Sequence, residues 1–137
     1  MSTIIALIAA AVTFGTVLMY GTLGEVLTER SGNLNLGVEG IMFMGGAFGL
    51  GGVFYYEQAV GEANSSAAVA LLIALAAAFA AGALASLIFS FLTITLRANQ
   101  NVTGLALTIF GTGVGQFIGE YMRVHQGGYV ALSNHLK

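Results

Sequence analysis

Asn33, Asn35 and Glu39 place two carboxamides and a carboxylate within seven residues, between Gly32 and Gly40. If that segment is helical, Asn35 and Glu39 share a face, because residues one turn apart line up. Such a set can hydrogen-bond the hydroxyls or ring edge of a polar solute, and it contains no nucleophile. It belongs to the stretch Gly24 to Gly40, which holds three glutamates, an arginine, two asparagines and four glycines in a chain otherwise nearly free of charge. A glutamate near a membrane helix centre costs about 2.5 to 3.5 kcal/mol on insertion scales, less near the interface, so it is normally paired or faces water. Two readings follow: Glu39 is hydrated at the interface and pairs locally, or it lines a path for solute. Glycine-interrupted apolar segments that carry polar groups mark substrate paths in transporters, and Gly32 to Gly40 has that form.

Other chemistry is poorly supplied. Cysteine and aspartate are absent, and the only lysine is Lys137, so thiolate catalysis, cysteine-ligated metals and a P-loop lysine are excluded. His125 and His135 stand ten apart in a polar tail without an H-E-x-x-H pattern, so no metal site is expected. Gly111 to Gly115 reads G-T-G-V-G, but Gln116 and Ile118 stand where a dinucleotide fingerprint needs its third glycine. There is no G-x-S-x-G elbow. No catalytic residue is assigned, and enzymatic function is not expected. The net charge of −2 and the lack of any Lys/Arg run also argue against nucleic acid as a partner.

The elements that would position these residues are membrane helices. The chain is 57% hydrophobic and 7% charged, against roughly 25% charged in soluble domains. Its mean hydropathy is +0.88. About 20 helical residues cross a bilayer core, and only helices or closed barrels satisfy the backbone there. Long apolar runs without alternation predict an all-α, polytopic transmembrane helical bundle of about four helices: 3–23, 34–56, 67–96 and 102–121, with a polar tail over 123–137. On this reading Glu25 to Gly32 is a loop, and Asn33 to Gly40 is the polar start of the second helix. Tyr55 and Tyr56 suit the far interface. The Asn64 to Ser66 triplet fits a glycosylation sequon but carries little weight in so short a loop.

Small residues supply candidate packing faces. Gly45 and Gly49 form a G-x-x-x-G, Gly111, Gly115 and Gly119 a tandem one. Ala70, Ala74, Ala78, Gly82, Ser86 and Ser90 recur every four residues, which predicts close packing and places the third helix mid-bundle. Gln116 puts a carboxamide inside the fourth span and joins the candidate path residues; Glu120 and Arg123 can pair at its end. With alternating spans, Arg30 and Arg97 share a side and the acidic Glu57 to Glu62 loop lies opposite. The positive-inside rule then puts both arginines in the cytoplasm and both termini outside, with Arg123 and Lys137 counting the other way.

Two blocks, E-R-S-G-N-L-N-L-G-V-E-G-I-M-F-M-G-G-A-F-G (Glu29 to Gly49) and L-R-A-N-Q-N-V-T-G-L-A-L-T-I-F-G-T-G (Leu96 to Gly113), are similar to the signature blocks of ABC-importer permeases of the branched-chain amino acid, ribose and nucleoside type. The nucleoside/simple-sugar branch is the nearest in wording. The resemblance implies that Glu29, Arg30, Ser31 and Gly32 form the turn before the second helix. It makes Asn33, Asn35, Gly37, Glu39 and Gly40 the polar, partly unwound start of that helix, and Arg97, Asn99, Gln100 and Gly104 the signature turn into the fourth. It also implies a multi-pass plasma (inner) membrane subunit that pairs with a second permease subunit, two ATP-binding subunits and an extracytoplasmic solute-binding lipoprotein. The cofactors, ATP and Mg, would sit on the ATP-binding subunits, with none in this chain. The likeness extends over the N-terminal half of such a permease, so residues 1–137 are expected to form a single, incomplete permease domain. The competing readings are a small oligomeric four-helix channel or exporter, and a membrane-assembly subunit with no path of its own.

Overall fold

The computed structural model describes residues 2–61, 64–125 and 132. The second acid of the predicted outer loop, Glu62, together with Gly127, Gly128, His135 and Lys137, lies outside them. Four helices, each long and apolar enough to cross a membrane, run in alternating directions: α1 (Ser2–Arg30), α2 (Val38–Val60), α3 (Ala67–Ser90) and α4 (Gln100–His125). Among the described residues there is no strand.

The first boundary differs from the sequence expectation. Helix α1 continues through Glu25, Glu29 and Arg30, because nothing after Gly24 breaks it until the Ser31–Gly32 pair. Gly32 takes φ +85°, where a side chain would be strained. Its N–H donates to Glu29 O (2.9 Å) and the Asn33 N–H donates to Thr28 O (3.2 Å), the paired bonds of a Schellman stop. Arg30 lies in the last turn, where a cation complements the helix dipole. The predicted loop therefore shrinks to Ser31–Gly32, and Glu29 and Arg30 are helical.

Helix α2 begins at Val38, not Leu34. Asn35 Oδ1 accepts the Gly37 N–H (2.9 Å), a local bond that competes with helix formation and keeps 33–37 outside the helix. Asn35 and Glu39 therefore do not share a helix face. The helix runs to Val60, four residues beyond the expected end, and stops at Gly61, whose φ is +83°. Helix α3 gives way at Phe91–Thr95 to a π-helical turn that closes with the Leu96 N–H on Phe91 O (3.1 Å). Arg97 follows at φ +53°. Asn99 then caps α4: its Oδ1 accepts the Val102 N–H (3.1 Å) and its carbonyl accepts the Thr103 N–H (2.9 Å). The fourth helix is therefore Gln100–His125, longer at both ends than 102–121.

Helix α2, not α3, is central. It packs extensively on α3 and α4, which meet each other only briefly, while the α1 backbone approaches α2 alone. On one side Gly45, Gly49 and Gly52 bring α2 against α3: a Cβ at Gly49 would stand 3.2 Å from Ala74 O, and one at Gly45 3.5 Å from Ala78 O. On another side Gly40 meets Gly111, with Leu107 O 2.6 Å from where a Gly40 Cβ would lie. The core gathers Met44, Val53 and Phe54 of α2, Ala70, Ala81, Ala85 and Phe89 of α3, and Leu107 and Met122 of α4.

The α3 stripe needs correction along its length. A strict four-residue step advances about 40° per turn beyond a 3.6-residue helix, so the row of small residues spirals off the contact face. Ala85 is fully buried while Ser86 is exposed, and a Cβ at Gly82 would make only an ordinary contact, 3.8 Å from Ile41 Cγ2. At α4 the close approach ends at Gly115, which meets the Phe43 ring; Gly119 has open space around it.

Candidate functional site

The two signature blocks meet in one hydrogen-bonded clasp. Gln100, the first residue of α4, reaches across to the 33–37 segment: its Oε1 accepts the Leu34 N–H (2.9 Å) and its Nε2 donates to Asn33 Oδ1 (3.0 Å). Two turns further into α4, the Thr108 hydroxyl donates to Leu36 O (2.8 Å). Chain outside a helix has orphan amides and carbonyls, which membrane interiors tolerate only where protein supplies partners. Gln100 and Thr108 supply them here.

Glycine permits the fit. A Cβ at Gly104 would stand 2.7 Å from Leu36 N, and one at Gly37 would stand 3.1 Å from Gly104 O. The α4 backbone is therefore pressed against the segment that opens α2, and Gly40 against Gly111 continues that approach one turn later.

Helix α1 enters the same clasp. Glu25 Oε1 accepts the Asn35 N–H (3.1 Å), while Glu25 Oε2 is buried with no hydrogen-bond partner. Sequence reasoning placed Glu25 in a loop and gave it no role. The signal was present: an acid between Gly24 and Val26 in an apolar run should have a partner if the helix continues. Thr108 was also missed, and no local pattern distinguishes it from the other threonines of α4.

The four candidate path residues divide into two pairs. Asn33 and Asn35 are committed to the clasp, with Asn35 buried and its side-chain oxygen held by Gly37. Glu39 and Gln116 are exposed, and neither side chain makes a hydrogen bond among the described residues. Glu39 lies a turn before Phe43, on an α2 flank clear of the glycines that take α3. Gln116 follows Gly115, against which Phe43 packs. Among the described residues no hydrogen bond joins Glu39 to Gln116.

At the opposite end the Arg123 guanidinium pairs with the Glu120 carboxylate, its Nε donating to Oε2 (2.8 Å). His125 Nδ1 lies 2.8 Å from Tyr121 O and its ring lies against Tyr121, with centroids 4.1 Å apart. No cluster of metal-ligating side chains occurs among the described residues.

Four helices long and apolar enough to span a membrane, the first two joined through a short polar segment, define a multi-pass helical membrane protein. The model of the branched-chain amino acid transport system / permease component family matches residues 6–129, and the chain belongs to that family. It is 38% identical over 114 residues to the putative glucose ABC transporter permease protein TsgC13 of Haloferax volcanii, a match covering 83% of this chain and 31% of that protein. It is 36% identical over 112 residues to the guanosine ABC transporter permease protein NupQ of Bacillus subtilis, covering 82% of this chain and 33% of the relative. The matches thus span about a third of the length of these curated relatives. No solved structure matches.

Proposed function

We propose that this chain forms part of the membrane path of an ABC importer for nucleosides or simple sugars, powered by ATP hydrolysis on separate subunits. The observation that carries the reading is the pair of relatives, a glucose and a guanosine permease, each matching more than four-fifths of the chain. In this scheme the chain binds no ATP or Mg itself. Its partners are a second permease subunit, two ATP-binding subunits and an extracytoplasmic solute-binding lipoprotein in the plasma membrane. The clasp end, with Arg30 and Arg97, faces the cytoplasm.

The clasp anchors the start of α2 against α4, and the solute-facing groups are the uncommitted ones, Glu39 and Gln116. A carboxylate and a carboxamide free of internal bonds can exchange hydrogen bonds with a solute's hydroxyls as it passes. The test is uptake of labelled guanosine and glucose into vesicles containing the complete importer. Glu39→Ala should lower uptake at least about tenfold, the loss of one charge-assisted hydrogen bond, with membrane insertion unchanged. Unchanged uptake would remove Glu39 from the path. Uptake that persists without the ATP-binding subunits would favour a channel instead.

A further inference from the structure

Two contacts one turn apart attach α1 to the start of α2, while residues 3–20 of α1 are exposed. At Gly21 the missing side chain makes room for Met42, whose Sδ lies 2.7 Å from where a Cβ would stand. At Glu25 the carboxyl Oε1 accepts the Asn35 N–H (3.1 Å). From there a line of hydrogen bonds runs into α2: Asn35 Oδ1 accepts the Gly37 N–H (2.9 Å), and the Gly37 carbonyl accepts the Ile41 N–H (3.0 Å). Gly37 is the N-cap of α2, and Glu39 lies in the turn that this last bond closes. The segment before α2 is thus gripped from two sides. Gln100 and Thr108 of α4 hold the Leu34 N–H and the Leu36 carbonyl, and Glu25 of α1 holds the Asn35 N–H between them.

Stability alone does not account for this carboxyl. Its second oxygen, Oε2, is buried without a hydrogen-bond partner. An orphaned buried acceptor costs about as much as a well-made bond contributes, so the two oxygens largely offset each other. A side chain serving only to fasten α1 to α2 would be apolar or would have both polar atoms satisfied. What Oε1 does accomplish is to fix the Asn35 amide, from which the first turn of α2 takes its direction.

We infer that Glu25 is a positioning residue for solute passage: by holding the Asn35 amide it orients the first turn of α2, so that the Glu39 carboxyl meets the solute. The inference rests on the importer reading above, in which Glu39 is a solute-facing group. What the role requires is a hydrogen-bond acceptor at the reach of a glutamate side chain, not a charge.

The test measures the maximal uptake rate of labelled guanosine and glucose per assembled complex, in proteoliposomes holding the complete importer. Glu25→Gln keeps an acceptor at the same reach and should keep most of the wild-type rate. Glu25→Asp keeps the carboxyl but draws it back by one methylene, and should lower the rate about tenfold, the loss of one hydrogen bond. In a Glu39→Ala background, Glu25→Asp should lower the rate by no more than about twofold further, because the group it positions is already gone. A purely structural role would instead lower the double variant by the product of the two single losses. That product, a glutamine variant as slow as the aspartate variant, or wild-type uptake with Glu25→Asp would each overturn the inference. Should Glu25→Asp fail to assemble, the glutamine variant decides alone. A wild-type complex that imports neither solute would instead overturn the importer reading, and full uptake with Glu39→Ala alone would overturn the route through Glu39; the positioning role falls with either.

Discussion

Helices α1 and α2 are neighbours of opposite design. The most apolar stretch of α1 is more apolar than that of α2, yet it has no buried residue, whereas more than a third of the corresponding α2 stretch is buried. Phe14, Leu7 and Leu27 of α1 are each at least 70% exposed, while α2 buries Gly40, Gly45, Gly49 and Gly51. Lipid tails are as apolar as leucine, so a large side chain gains little by moving from lipid to protein; close backbone approach through small residues is what gains dispersion energy. In this bundle apolarity marks the surface, and glycine marks the contacts.

That contrast can be broken most forcefully at Gly111. A side chain there runs into the Gly40 backbone, which cannot move aside as a flexible side chain could. Gly111→Leu should therefore prevent stable assembly, seen as loss of the monodisperse peak in detergent size-exclusion; a normally melting variant would refute the close contact between α2 and α4. A smaller loss is expected at the clasp. Gln100→Leu removes both bonds to the 33–34 segment and should cost about 1 to 3 kcal/mol, read as a lower thermal midpoint. An unchanged midpoint would mean that the two blocks are held by glycine packing alone. At the other extreme stand Gly82→Ala and Phe14→Ala, one with space for a Cβ and the other 72% exposed. Each should shift stability by no more than about 0.5 kcal/mol, within the usual range for surface positions. A large effect of Phe14→Ala in the isolated chain would show that α1 is packed rather than peripheral.

Much of the fold is legible along the chain. Runs of apolar residues longer than a bilayer crossing, separated by Ser31–Gly32, Gly61 and Arg97–Asn99, mark four spans and three reversals. Boundaries are less legible because they depend on individual hydrogen bonds. Glu25 and Arg30 look like loop residues until one sees that the helix ends only where Gly32 can adopt positive φ. The 33–37 segment looks like a helix start until Asn35 is found holding Gly37. The candidate site was legible as a region but not as roles: Asn33, Asn35, Glu39 and Gln116 are alike in polarity, and only their neighbours separate the two that lock the clasp from the two left free.

What the sequence determined by itself was the medium, the helical class, the approximate spans and the two blocks that carry the family likeness. Each is a sum or pattern over neighbouring residues and needs no knowledge of distant partners. Tertiary structure alone decided that α2 is the hub, that Gly40, Gly104 and Gly111 admit no side chain while Gly15, Gly113 and Gly119 have room for one, and that Gln100 and Thr108 complete the backbone of the 33–37 segment. Contact is a property of two surfaces brought together from residues more than sixty positions apart. A glycine carries no mark of its own to say whether another backbone will come to rest against it.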